Sequence, residues 1–275
     1  MKNTKADLLM VSATAAWGFS YIFMKMGLES VGPFQLIFLR FGLAFTLLFL
    51  VFGGKIKPRK REIYYSLILG LLVFTLSTFY MYGLKTTPAS TAGFLAGTTV
   101  VMVPLLNAVI RRQLPTKKVA LATILALAGV AAMSLTQGLY IAGGAWLCLA
   151  GAACYAVHIL VTNRALANCQ GLTIGVWQMF FVALTGALAA GVSGEFTLAL
   201  DAGAWFAVLG LAIICSAYGY IAQTMAQKSI TPERIGFIYS LEPIFCAVLT
   251  FLFFQETMTL QQVFGAILII ISIII

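Results

Sequence analysis

The apolar residues of this chain fall into ten stretches of membrane-spanning length, and Lys and Arg collect in every second gap between them. A helix needs roughly 20 apolar residues to cross about 30 Å of hydrocarbon. The runs near 7–26, 34–52, 63–83, 90–110, 118–136, 142–163, 172–192, 203–225, 233–254 and 259–275 meet that requirement. With 61% hydrophobic and 9% charged residues among 275, a water-soluble fold would lack the polar surface to cover itself. Period-two alternation is absent, which argues against a membrane barrel. The prediction is an all-α membrane protein with ten transmembrane helices. The first run lacks a small-residue cleavage site followed by a polar region, so it reads as a retained helix and not as a signal peptide.

Orientation follows from the basic residues, because short cytoplasmic loops are enriched in them. One set of gaps holds Lys2 and Lys5, the run Lys55 to Arg61, Arg111, Arg112, Lys117 and Lys118, then Arg164, Lys228 and Arg234. The other set holds only Lys25 and Lys85. Both termini are therefore expected in the cytoplasm, in a multi-pass protein of a bacterial cytoplasmic (inner) membrane. The net charge of +9 is then explained by topology and lipid headgroups, not by nucleic acid, since no aromatic-basic binding motif accompanies it. Cys148, Cys154, Cys169, Cys215 and Cys246 show no CxxC spacing, so neither a disulfide framework nor a metal site is expected. No cofactor is implied. No GxxxxGK[ST] phosphate cradle is present, which argues against direct ATP hydrolysis.

Dividing the chain near Gly138 leaves five spans in 1–137 and five in 138–275, and an odd number makes the halves enter from opposite faces. A shift of 143 residues superposes Lys85 on Lys228, Gly93-Phe94 on Gly236-Phe237, Gln113 on Glu256 and Thr116 on Thr259. Inverted repeats let one architecture present the same site to either side of a membrane. The same shift pairs spans four and nine, which carry Gly93, Gly97 and Pro104 in the one and Gly236 and Pro243 in the other. Proline removes a backbone donor and crowds the preceding turn, so these positions read as hinges.

Ionisable groups within spans are the sharpest functional pointers, because each is costly unless paired or solvated. Glu242 lies well inside span nine, immediately before Pro243, and is the only carboxylate in the interior of a span and not at its end. It could couple proton movement to transport, hold a cationic group, or serve structurally. Arg40 in span two reads as a structural charge, snorkelling to headgroups or paired with Glu242. His158, the only histidine, reads first as a hydrogen-bonded packing residue, with proton relay as the alternative. Trp17, Tyr21, Tyr80, Tyr82, Tyr155, Tyr218, Tyr220, Gln223 and Tyr239 are interior aromatic or amide residues able to line a cavity. Trp146, Trp205, Tyr64 and Tyr65 sit at span ends and read as interfacial anchors. Apolar walls with a few polar tips suit a small amphipathic organic molecule.

The segments ATAAWGFSYIFMKMGL (13–28), PFQLIFLRFGLAFTLL (33–48), TTPASTAGFLAGTTVVMVPLL (86–106) and GFIYSLEPIFCAVLTFLFFQETMTLQQVFGAILII (236–270) together resemble the drug/metabolite transporter superfamily, in particular its bacterial ten-helix EamA-type exporters. The resemblance implies two inverted five-helix repeats, a central cavity formed mainly by spans one, three, four, six, eight and nine, and export by alternating access. Trp17-Gly18, Arg40, and Glu242-Pro243 with Glu256 match its motifs. The first repeat departs from them, with Gln113 where Glu is usual and Val100 where the aligned proline would stand, which leaves Glu256 a structural charge near a helix end.

The expected function is secondary export of small metabolites, with aromatic or hydrophobic amino acids as the leading substrate class, by a monomer or weak homodimer. Protons are the candidate coupling ion, and facilitated diffusion stays open. The alternative within transport is a multidrug or organic-cation exporter. A membrane-embedded enzyme acting on lipid intermediates fits less well, since one histidine and one buried carboxylate do not supply acid, base and metal ligands.

Overall fold

A computed structural model describes residues 4–87, 89–134, 143–197, 200–254 and 259–275. Glu256 and the expected boundary between the halves at 137 and 138 lie outside these residues. Among the described residues the secondary structure is helical, with no strand. Helices α1 (Thr4–Gly18), α2 (Ser20–Leu28), α3 (Pro33–Phe52), α4 (Lys60–Leu84), α5 (Ala89–Gly97), α6 (Thr99–Arg111) and α7 (Lys117–Ser134) precede the expected midpoint. After it come α8 (Gly143–Leu166), α9 (Gly171–Ser193), α10 (Ala202–Gly210), a π-helical segment (Leu211–Tyr218), α11 (Gly219–Gln227), α12 (Pro232–Tyr239), α13 (Glu242–Phe254) and α14 (Leu260–Ile274).

Every stretch predicted from hydropathy contains helix. Six helical runs among the described residues are long and apolar enough to cross a membrane: Thr4–Leu28, Pro33–Lys55, Lys60–Leu84, Gly143–Leu166, Gly171–Ser193 and Ala202–Gln227. Leu95–Arg111 and Leu260–Ile274 are shorter apolar helices. The bundle leaves large aliphatic side chains bare on its outside, such as Leu50 at 79% and Val109 at 74% exposed. Such a surface is at equilibrium only against lipid.

The broken spans are not broken where proline alone predicts. Between α5 and α6 the break falls at Thr98, beside Gly97, while Pro104 lies within α6. The Thr98 hydroxyl donates to the Leu95 carbonyl at 2.5 Å, and its backbone N–H reaches the same oxygen at 3.2 Å. That local bond tightens the turn and competes with the regular ladder. Between α12 and α13 the Ser240 hydroxyl does the same toward the Phe237 carbonyl at 2.6 Å. Pro243 then takes the second position of α13, where no intrahelical donor is required. Thr98 and Leu241, the residue after Ser240, are 143 positions apart, so the breaks correspond although only one has a nearby proline. A third break, at Phe19 between α1 and α2, and the π segment in span eight carry no comparable sequence signal.

The main packing partners are α4 with α8, α3 with α9, α7 with α14, α4 with α9, α1 with α11, and α3 with the π segment. Interlocking polar contacts close both ends. At the basic end the Arg234 fork donates to Asp7 at 3.1 and 3.0 Å and also to the Ile273 carbonyl, while Asn107 donates to Glu233. This ties α12 to α1, α14 and α6. At the opposite end Glu195 accepts from the Phe34 N–H at 2.8 Å, Gln35 exchanges bonds with Thr197, and Ser30 donates to Asp201 at 3.1 Å.

Candidate functional site

Midway between those closures lies a cavity of about 40 Å³. At about 10–15 Å³ per water, it has room for only a few water molecules. Trp17, Ser20, Tyr21, Met24, Arg40, Leu76, Ser77, Tyr80, Tyr155, Tyr220, Tyr239 and Glu242 line it. These residues come from α1, α2, α3, α4, α8, α11, α12 and α13, so the breaks at Phe19 and at 240–241 both open onto it. Span two supplies Arg40, and α5 of span four stands behind the wall, with Gly93 facing the Tyr21 ring. The cavity-forming spans implied by the family resemblance therefore lose span four as a direct wall and gain span two.

Trp17 is the centre of the aromatic lining. Its ring meets Tyr155, Tyr220 and Tyr239 edge to face, with centroids 5.9, 5.5 and 5.7 Å away. Such pairs hold one another in orientation as well as burying area. Its indole N–H donates to the Cys215 carbonyl at 2.8 Å, within the π segment. Gly219 makes this approach possible, since a Cβ there would lie 2.6 Å from Trp17 Nε1. Gly151 does the same for Tyr80, whose ring carbons stand 3.1 Å from where a Cβ would be.

A guanidinium and a carboxyl group share this cavity. Arg40 is 4% exposed, so it neither snorkels nor reaches headgroups. Its Nε donates to the Ser216 hydroxyl at 2.5 Å and one terminal nitrogen to Ser20 at 3.4 Å. The other terminal nitrogen has no hydrogen-bond partner among the described residues. Nor is there an ion pair between Arg40 and Glu242: among the described residues the salt bridge is that of Arg234 with Asp7. Glu242 opens α13, at the positive end of a half-helix. The hydroxyls of Tyr239 and Tyr21 are donors within its reach, yet its Oε2 is buried without a partner. The Tyr80 and Tyr155 hydroxyls are likewise buried and unpartnered. Groups of this kind are rare in folded cores and are available to a ligand.

The structure thus brings together Trp17, Tyr21, Tyr80, Tyr155, Tyr239, Glu242 and Arg40 from the sequence-selected set. Other members stand apart. Residues two apart on a helix point about 200° away from each other. Tyr220 therefore faces the cavity while Tyr218 is 45% exposed and bonded to Ser12 at 2.6 Å. By the same spacing Tyr80 faces in, while Tyr82 reaches Glu195 at the far end at 3.4 Å. His158 is buried one layer behind, 3.1 Å from Gln178 and stacked on Tyr155. Gln223 is turned toward Gln227. Gly236 packs against Val103 at the crossing of α12 and α6. Sequence reasoning missed Ser20 and Ser216. The signal available was Arg40 itself, since a buried guanidinium requires hydroxyl or carbonyl acceptors.

Six long apolar helices and a small aromatic-lined cavity within the bundle that carries a guanidinium and a carboxyl are the features of an integral membrane transporter. The EamA-like transporter family's sequence pattern matches residues 4–135 and again 142–275, and the chain belongs to that family. It is a multi-pass protein of the cytoplasmic membrane. An "Uncharacterized transporter" of Archaeoglobus fulgidus is 26% identical over 277 residues, covering 100% of this chain and 86% of the relative. The "Uncharacterized transporter YyaM" of Bacillus subtilis is 24% identical, covering 99% and 93%. The "Probable terminal-alkyne amino-acid exporter" of Streptantibioticus cattleyicolor is 26% identical, covering 89% and 84%. A solved protein structure superposes with a TM-score of 0.80 at 18% identity, covering 99% of this chain and 96% of the other, and so shares the fold.

Proposed function

We propose that this transporter exports small zwitterionic metabolites, foremost amino acids with apolar or aromatic side chains. The observation that carries the reading is the placement of Arg40 and Glu242 on one small aromatic cavity without an ion pair between them. A substrate carboxylate would take the open guanidinium nitrogen, its ammonium the unpartnered Glu242 oxygen, and its side chain the Trp17, Tyr155 and Tyr239 faces. The relative named as a probable amino-acid exporter, at 26% identity, agrees with this class.

Alternating access completes the proposal. The halves 1–137 and 138–275 act as inverted five-helix repeats, ten spans in all, with both termini and the basic end cytoplasmic. Two family matches support this division. So do the packing partners: exchanging each span with the one five later turns the α4–α8 pair into span one with span eight, seen as α1 with α11 and α2 with α10, and the α4–α9 pair into α3 with the π segment. Opening at either end expands the cavity, with the turns at 98 and 240–241 as hinges. Glu242 is the candidate proton-coupling group.

A second reading, export of organic cations, is favoured by a carboxylate among aromatic faces. Arg40 in the same cavity opposes it by charge. Counterflow into proteoliposomes separates the two, using phenylalanine and leucine beside their decarboxylated amines and deaminated acids. Amino acids are expected to move, Arg40→Gln to lose them, and Glu242→Gln to lose them together with any pH dependence. Amines moving as well as amino acids would overturn the zwitterion reading.

A further inference from the structure

A second concavity, of about 610 Å³, opens on the outside of the basic end between α4, α6 and α8. Its size lies within the roughly 300–1,000 Å³ of sites that hold organic ligands. The walls are aliphatic, with Ile110 63% and Val157 37% exposed, while Arg61, Arg111 and Arg164 converge on its rim. No Asp or Glu lines it. Arg61 and Arg164 have neither hydrogen bond nor ion pair among the described residues, and Arg111 uses only its Nε, toward Asn107 at 3.2 Å. The rule that places basic residues in these loops accounts for their number but not for their convergence above an exposed apolar trough. The contrast lies next to it: a groove of about 550 Å³ holds Lys55, Lys57, Arg59 and Lys228, yet Glu62 and the polar loop at Asn168–Gln170 fill the rest. That neighbour offers charge without a place for an acyl chain.

We propose that the α4–α6–α8 groove is a binding site for an anionic phospholipid, with the headgroup phosphate under Arg61, Arg111 and Arg164 and an acyl chain along Ile110 and Val157. Basic side chains near an anionic membrane surface contribute about fivefold each, so removing three is expected to weaken binding on the order of 100-fold. The site touches α6, whose Asn107 also engages Glu233 of α12, so the lipid would bear on the basic-end closure.

The test is native mass spectrometry of detergent-purified protein in equimolar phosphatidylglycerol and phosphatidylcholine, with thermal unfolding in mixed micelles. Wild type is expected to retain phosphatidylglycerol preferentially and to unfold at higher temperature with it. The Arg61→Gln/Arg111→Gln/Arg164→Gln variant is expected to lose both effects, whereas Lys55→Gln/Lys57→Gln/Lys228→Gln, with the same loss of charge, keeps them. Equal occupancy by the two lipids on wild type overturns the proposal whether or not the variants fold. Equal loss in the two triple variants overturns it in favour of general surface charge. Competition by inorganic phosphate or glycerol 3-phosphate at millimolar concentration overturns it in favour of a free anion.

Discussion

Replacing Asp7 with asparagine should loosen one end of the bundle and leave the other closed. Arg234 and Asp7 make two parallel charge-assisted bonds, at 3.1 and 3.0 Å, with side chains 25% and 17% exposed. An exposed ion pair contributes about 0–1 kcal/mol, and a bidentate arginine–carboxylate pair more. Partial exposure discounts the sum, so about 1–2 kcal/mol is assigned to the closure. That is roughly 5- to 30-fold in an opening equilibrium. Asp7→Asn keeps the size and one acceptor but removes the charge, while Arg234 keeps the Ile273 carbonyl. Hydrogen exchange read by mass spectrometry resolves the consequence by segment. Amides of α12 and of the first turns of α1 should exchange about 5- to 30-fold faster, with a smaller difference at high salt. Amides around Ser30 and of α10 should be unchanged. Unaltered exchange in α12, or an equal rise at both ends, would refute the claim that this pair helps to latch the basic end and that end only.

Other substitutions address the cavity and its supports. Gly219→Ala places a Cβ about 2.6 Å from Trp17 Nε1 and should cost about 1–3 kcal/mol in detergent unfolding, with loss of transport. Tyr218→Phe removes only a half-exposed bond to Ser12, and counterflow should stay within about twofold of wild type. His158→Ala leaves Gln178 without its partner inside the bundle and should destabilise by about 1–3 kcal/mol. Asp201 is held below the ordinary carboxylate range by the Ala204 N–H and the Ser30 hydroxyl. Its contribution is therefore complete above the ordinary aspartate value and is lost as pH falls through the lower folded one. Below about pH 4, wild type and Asp201→Asn should converge in melting temperature, with wild type the more stable at neutral pH.

The helices were legible because hydropathy over about 20 residues reports a solvent, hydrocarbon, that acts on every position alike. The ends predicted from that signal lie within three residues of α3, α8 and α9 as observed. The grouping of basic loops at one end was legible for the same reason, since it answers to the membrane as a whole. Glu242 and Arg40 were legible because an ionisable group inside a span is costly wherever it points, and Trp17 because it is an aromatic inside a span and not at its end.

What a side chain faces was not legible. Tyr218 and Tyr220 are the same residue type in the same span, and only packing of α11 against α1 decides that Tyr220 meets Trp17 while Tyr218 meets Ser12. Pro104 and Pro243 carry the same local signal, yet the turns form at Thr98 and Ser240, where hydroxyls capture carbonyls beside close helix crossings. In the π segment, Ser216 and the Cys215 carbonyl accept hydrogen bonds from Arg40 and Trp17, which lie 176 and 198 residues earlier. Composition and periodicity alone determined a helical membrane protein with a basic end. The aromatic cavity, with a guanidinium and a carboxyl on it that form no ion pair, was decided by tertiary packing, because it depends on contacts between residues that no local pattern relates.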